Sequence, residues 1–306
     1  MVLGDSNPDL ILRGDIEPRF GQVEKLVEEA RLEIGGSAAI VAAGAARLGV
    51  SVALVAAGGE DALGRAQIEA LRHRGVEVGA LRTLPGVATG VSVILSRGED
   101  RAILTSPGAI PALEAAMVDA ELLRSARHVH VSSLFLLTGL RPGLPGLLAA
   151  ARAAGATVSL DTNWDPAGDW VAARRELDLV LPEVDVFFPN LAEARALSGE
   201  DEPEAAAAAL ARRVDLAVVT LGAEGALAHG SDGTVARAAA PAVAAVDTTG
   251  AGDSFAAGFL AARLRGEDLE GCLALGCACG ALSTTAAGGT AAQPQLAAAE
   301  ALRARG

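Results

Sequence analysis

Asp247-Thr-Thr-Gly-Ala-Gly-Asp-Ser-Phe255 is the stretch on which the reading of this chain turns. Before it, Val243-Ala-Ala-Val246 reads as a strand. After it, Ser254 through Arg265 reads as a helix with Phe255, Phe259 and Leu260 at core spacing. Gly250 and Gly252 permit a tight turn and a close approach of backbone to ligand. The first N–H groups of that helix, around Gly250, Ala251 and Gly252, have no internal partner and sit at the positive end of its dipole. They are predicted to form an anion hole for a phosphate in transfer. Asp253 at the end of such a hole would repel phosphate. Its place suits a base that takes a proton from an attacking hydroxyl. For Gly-x-Gly-Asp alone, a plain glycine turn with a first-turn carboxylate is an equal alternative.

Outward from this turn, short apolar runs alternate with helical segments. Val52–Ala57, His128–Ser133, Thr157–Asp161, Val184–Phe188 and Leu216–Leu221 read as buried parallel strands, each followed by a turn and a helix such as Pro142–Ala154. The alanine run Glu204–Leu210 also reads as helix. Two stretches break the rhythm, residues 10–34 and 76–104. The second holds Thr89–Leu95, a turn at Arg97-Gly-Glu-Asp100, then Arg101–Leu104, which is hairpin grammar. The expectation is one α/β domain over residues 1–306, with a mainly parallel sheet and a small β lid built from the two insertions.

Composition narrows the function. With 306 residues the chain can bury a large core, and its 51% hydrophobic content is rich in alanine. No apolar run reaches the roughly 18–20 residues of a membrane span, and no secretory leader is legible. A net charge of −13 argues against nucleic acid as partner. It leaves a nucleotide ligand open, since backbone N–H groups and Mg²⁺ hold phosphates. The three cysteines, Cys272, Cys277 and Cys279, form neither a disulfide framework nor a zinc spacing, and a cytoplasmic setting is expected. There is no Gly-x-x-x-x-Gly-Lys-Ser/Thr loop, and no Gly-x-Gly-x-x-Gly after the first strand.

Asp247-Thr-Thr-Gly-Ala-Gly-Asp-Ser-Phe-x-x-Gly258 resembles the C-terminal signature of the ribokinase-like (PfkB) carbohydrate kinases. Gly35-Gly-Ser-Ala-Ala-Ile-Val-Ala-x-x-Ala-Ala-Arg-Leu-Gly49 resembles their N-terminal one, and the likeness runs from Gly4 to about Pro294. The resemblance implies a three-layer α/β/α ribokinase-like fold with a β-sheet lid. It also implies transfer of the ATP γ-phosphoryl, with Mg²⁺, to a hydroxyl of a sugar or sugar-like molecule, with Asp253 as base.

The same resemblance assigns the remaining sites. Asp9 and Asn7, in Gly4-Asp-Ser-Asn-Pro-Asp9, lie where the first strand ends and would grip the acceptor, as would Gly35 and Gly36. The family's Gly-Gly-x-x-x-Asn asparagine is Ile40 here, so one hydroxyl contact is lost on the acceptor side. Asn190 and Glu193 match an Asn-x-x-Glu motif that organises Mg²⁺, water and phosphate; helix capping by Asn190 is the alternative. Thr220, Gly222 and Gly225, with Gly252 and Cys277, would flank the nucleotide. Asp247, Thr249, Ser283, Ala286 and Gly288 match a monovalent-cation (K⁺) loop. Asn163 and Arg101 are further acceptor-side candidates, Arg101 for an acidic sugar, as in a 2-keto-3-deoxygluconate kinase. A nucleoside acceptor would favour aromatic stacking, and the chain has no Tyr. An idle sugar- or nucleotide-sensing protein is the reading from another class. His128 and His130 share one strand face and read as structural. The lid is the expected surface of a homodimer.

Overall fold

A computed structural model describes residues 1–97 and 100–305; the expected turn residues Gly98 and Glu99 lie outside the described residues. An eight-stranded sheet runs, edge to edge, Val235–Ala238, Ala226–Gly230, Leu216–Thr220, Val186–Phe187, Thr157–Leu160, His128–Val131, Val2–Leu3 and Leu54–Val55. The six strands from Leu216–Thr220 to Leu54–Val55 are parallel, and the two at the other edge are antiparallel.

Side chains alternate between two buried layers, as strand periodicity demands. Leu3, Val129, Val131, Val158 and Leu160 join one layer with the helices Leu144–Ala153 and Trp170–Val180. Val2, Leu54, Val186 and Val218 face the helices Ser37–Arg47, Ala251–Leu264 and Leu269–Ser283. The result is an α/β/α sandwich. One patch of it is polar. His128 lies between Thr157 Oγ1 and Ser159 Oγ (2.7 Å each), and His130 between Ser159 Oγ (2.7 Å) and Ser132 Oγ (2.9 Å). Burial first, then neighbouring positive charge, keeps both imidazoles neutral, with His130 lowered to about 3. These residues satisfy one another.

The second sheet orders Glu29–Gly35, Asn7–Arg13, Val91–Arg97 and Asp100–Ser106, the outer pairs antiparallel and the central pair parallel. It is narrower than the insertions suggested. Residues 76–90 do not belong to it: Glu77 bridges Ala53, and Arg82–Leu84 pairs with Ala57–Gly59 beside the main sheet. Asp61 ties the root of this sheet down, accepting from Thr89 N (2.7 Å), Thr89 Oγ1 (2.7 Å) and Gly64 N (2.9 Å).

One expected element is absent. Val243–Val246 is not a strand, because its backbone does not reach a sheet edge. Pro241 just before it has no N–H to give a ladder. The N–H groups of Val246 (2.7 Å) and Asp247 (3.1 Å) instead both donate to the Thr284 carbonyl. The segment becomes an irregular wall to a cavity described next. The strand nearest before the glycine turn is the edge strand Val235–Ala238.

Candidate active site

Two helices begin at the same place. Ser37–Arg47 starts behind Gly36 (φ 84°), and Ala251–Leu264 starts behind Gly250 (φ 70°). Both glycines hold a left-handed conformation that other residues adopt at a cost. At Gly36 a Cβ would also come within 2.9 Å of the Asp5 carbonyl oxygen. Asp5 follows the first strand and accepts from the N–H groups of Ser37 (3.1 Å) and Ala38 (3.0 Å). That pins the start of the first helix to the end of the strand Val2–Leu3.

In the second helix, the Ala251 N–H returns to Thr248 (3.2 Å). Gly252 and Asp253 carry first-turn N–H groups with no partner in the turn. Space around Gly252 is open, with nothing within 4 Å of where a Cβ would sit. Asp253 is in the first turn, and its Oδ1 accepts the Ser37 hydroxyl. Burial, then Asp161, raises the Asp253 carboxyl well above the usual range; Ser37 works against this, while Asp5 and Asp9 add to it.

Asp9 lies on the lid strand Asn7–Arg13. The Asn7 amide reaches both Asp9 Oδ1 (3.2 Å) and Ser92 Oγ (3.2 Å), which joins two lid strands at the cleft. Burial, with Asp5 next, pushes Asp9 up to about 7. A Cβ on Gly35 would fall 2.0 Å from Asp9 Oδ1, so only glycine leaves that carboxylate room. Ile40 is buried, and its side chain lies against Gly250 and Gly289 under the glycine turn. Asn163, at φ 56°, donates to Ser133 Oγ (3.0 Å), and its N–H goes to Asp161 Oδ1 (2.9 Å). Ser133 in turn bonds Asp5.

Asn190 and Glu193 form a reciprocal cap. Asn190 Oδ1 accepts the Glu193 N–H and a Glu193 oxygen accepts the Asn190 N–H, each at 3.0 Å. The capping reading is therefore correct. It also buries Glu193, while Asn190 at the helix start stays exposed. Burial and then Asp161 push Glu193 up to about 8, and burial brings Asp161 to about 6. Carboxylates so crowded and so weakly compensated suit a divalent cation arriving with phosphates. Among the described residues no three His, Cys, Asp or Glu side chains form a ready metal cage.

Thr220, Gly222, Gly225, Gly252 and Cys277 line one cavity of about 500 Å³, with Pro241, Val243, Thr248, Ala251, Phe255 and Thr284. It opens at the glycine turn. The Cys277 thiol in its wall is pushed up to about 12 by burial, so it is a packing group rather than a nucleophile.

Asp247 Oδ1 accepts from Thr249 N (2.9 Å) and Oγ1 (2.8 Å), and Oδ2 from Gly288 N (2.9 Å). Burial opposes ionisation here, but the Gly288 and Thr249 bonds win and hold the carboxyl low. These bonds bring the two halves of the suggested cation loop together. The Ser283 hydroxyl donates to Gly280 O (2.8 Å), which leaves its oxygen lone pairs open to a cation. Arg101, on the outer lid strand, donates to Thr248 Oγ1 (2.6 Å) across the cleft.

Comparison with known proteins gives the family. The pfkB family carbohydrate kinase model matches residues 1–296. The chain belongs to the pfkB family of carbohydrate kinases. An ATP-dependent ribose-1-phosphate kinase of Halopiger xanaduensis is 35% identical over 282 residues, covering 92% of this chain and 90% of that protein. An Arabidopsis thaliana ribokinase, solved with ribose and ATP, superposes with a TM-score of 0.85 at 26% identity, over 99% of this chain and 97% of that one. An E. coli protein assigned as ribokinase II, solved with ATP and Mg²⁺, gives 0.88 at 26% identity, over 100% and 98%. This pfkB chain is a carbohydrate kinase with the ribokinase-like fold, transferring phosphate from ATP to a sugar hydroxyl.

Sequence reasoning left two members of the cleft without roles. Asp5 stood inside a quoted motif, and only its place at a strand end before Gly35-Gly36 in space shows it as a cap. Ser37 had no signal beyond following two glycines.

Proposed function

We propose that the acceptor is a neutral sugar of pentose or ketohexose type, phosphorylated at a primary hydroxyl. The carrying observation is the group of carboxylates around Asp253: Asp5, Asp9 and Asp161 all raise its pKa. A neutral polyol donates hydroxyl hydrogen bonds to such oxygens, whereas an anionic acceptor adds a further negative charge. Asp9, steadied by Asn7, takes the polyol hydroxyls against the Gly35–Gly36 backbone. Asp253 accepts the proton of the attacking hydroxyl, and the N–H groups of Gly250 and Gly252 meet the charge on the transferring group, the Ala251 N–H between them being held by the Thr248 carbonyl. ATP lies in the cavity of Thr220, Gly222, Gly225 and Cys277. Mg²⁺ bound with it, organised through Asn190 and Glu193, supplies neutralisation of the phosphate charge. Asp247, Thr249, Ser283, Ala286 and Gly288 would hold a K⁺, which would steady the glycine turn.

Arg101 supports a second reading, an acidic or phosphorylated sugar. It is a cation placed at the loop next to the anion hole, bonded to Thr248. A coupled assay of ADP release over ribose, fructose, 2-keto-3-deoxygluconate, ribose 1-phosphate and adenosine separates the readings. The neutral-sugar reading expects highest turnover with ribose or fructose, and more in K⁺ than in Na⁺. Preference for an acidic or phosphorylated acceptor would favour Arg101. No stimulation by any acceptor would favour a sensing protein.

The lid supplies the homodimer surface in this reading. Leu32, Leu10, Val93 and Leu104 are register partners in turn, so they form an apolar row across its outer face. Leu32 is 50% and Leu104 63% exposed. A second copy of the same face is the occupant that such a self-complementary row fits. Leu104→Glu is expected to convert a dimer to monomer in sedimentation analysis; a wild-type monomer, or a dimer that survives the charge, would remove this surface.

A further inference from the structure

Of the contacts in the cleft, the one between Ser37 and Asp253 links the two helix starts through side chains. Ser37 is buried, and its position is fixed twice over. Its N–H is held by Asp5 Oδ2 (3.1 Å), and Gly36 before it is packed against the Asp5 carbonyl. A hydroxyl has a single proton to give. Here that proton goes to Asp253 Oδ1. Among the described residues Oδ2 takes no hydrogen bond from another side chain, and on the reading of Asp253 as base it is the oxygen that meets the acceptor hydroxyl.

The groups bearing on Asp253 come from several elements. Asp161 ends the strand Thr157–Leu160, Asp5 follows Val2–Leu3, and Asp9 sits on the lid strand; each favours the protonated acid. A protonated Asp253 cannot serve as a base. The Ser37 hydroxyl favours the carboxylate, because a donor to the charged form stabilises it.

We propose that Ser37 is a positioning residue for phosphoryl transfer, its hydroxyl holding the Asp253 carboxylate ionised and turned toward the acceptor. The inference rests on the reading of Asp253 as base, and it extends that reading to a residue on the acceptor-side helix. It makes the start of the first helix part of the machinery that sets the reactivity of the second.

The sign of the effect follows. Removing the donor raises the pKa of the base, so at a given pH a smaller fraction is ionised. Loss of one hydrogen bond to a charged group corresponds to a rise of about one pH unit. Ser37→Ala keeps the backbone N–H that Asp5 holds, and alanine suits a helix; Ser37→Thr restores the hydroxyl. Carboxyl ¹³C NMR, with the Asp253 resonance assigned through Asp253→Asn, is expected to show the midpoint about one unit higher in Ser37→Ala and near wild type in Ser37→Thr. In kinetics with the best acceptor of the panel above, the acid limb of kcat/KM should move up equally. Turnover below that limb should fall about tenfold and recover at alkaline pH. An unmoved midpoint, or a loss equal at all pH values, would overturn the proposal. The NMR titration needs no turnover. A wild-type protein inactive on every acceptor would therefore sink the kinase reading, while the titration still decides the Ser37 link.

Discussion

Asp253→Asn is expected to lower turnover by about 10²–10⁴-fold, the usual range for a general base, while leaving ATP binding as it was. The two halves of this expectation have separate structural grounds. Asparagine keeps the shape of the side chain and can still accept the Ser37 hydroxyl, but it cannot take up the acceptor's proton. The cavity assigned to the nucleotide is lined by Thr248, Ala251 and Gly252, and not by Asp253. Calorimetric titration with ATP and Mg²⁺ should therefore match wild type. Stability should not fall either, because a neutral amide suits a site where burial, and then Asp161, Asp5 and Asp9, disfavour the charged carboxylate. Undiminished turnover would end the assignment of the base. Lost ATP binding would mean that the residue serves the donor instead.

The second large effect is expected at Gly250. Its φ of 70° is left-handed, and an alanine there costs about 1–2 kcal/mol before any contact is counted. The added Cβ would also stand 2.7 Å from Gly289 Cα, 3.0 Å from its carbonyl oxygen and 3.1 Å from Ile40 Cγ2. Two of these are backbone atoms that cannot swing aside, and the third belongs to a fully packed side chain. The helix start must move. A displacement of about 1 Å at a reacting centre costs roughly 10²-fold in rate. Gly250→Ala should thus lose about that much kcat with Asp253 untouched, and melt at lower temperature. A variant with wild-type kcat would show that the N–H groups of this turn do not meet the transferring group.

The glycine turn, the paired glycines and the Asn-x-x-Glu motif were legible because each requirement is local. A left-handed backbone needs glycine, and a cap needs its partner three residues on. The alternation of apolar runs with helices was legible for the same reason. What escaped depends on chain segments far apart. Asp5 gains its role only when the start of the helix at Ser37 is laid over the first strand, and Ser37 meets a partner 216 positions away. Val243–Val246 had strand composition, yet no sheet edge was there to accept it. The reach of the lid was misjudged at residues 76–90 because Arg82–Leu84 pairs with a segment of the main body, a choice that composition does not encode. Ile40 was read as an acceptor-side loss. Its side chain packs under Gly250 and Gly289, so its first effect is on the shape of the turn.

The two helix starts also divide the chain by inheritance. Asp5, Asn7, Asp9, Gly35, Gly36 and Ser37 come from the opening segment, whereas the cavity walls from Thr220 to Thr284 come from the closing one. On the proposed reading, much of a change of acceptor would be written into the front of the gene without rewriting the nucleotide side at the back. The hydrogen bond from Ser37 to Asp253 is the seam where the two texts must agree, so chimeras between relatives with different acceptors should be judged first by whether that pair is kept together.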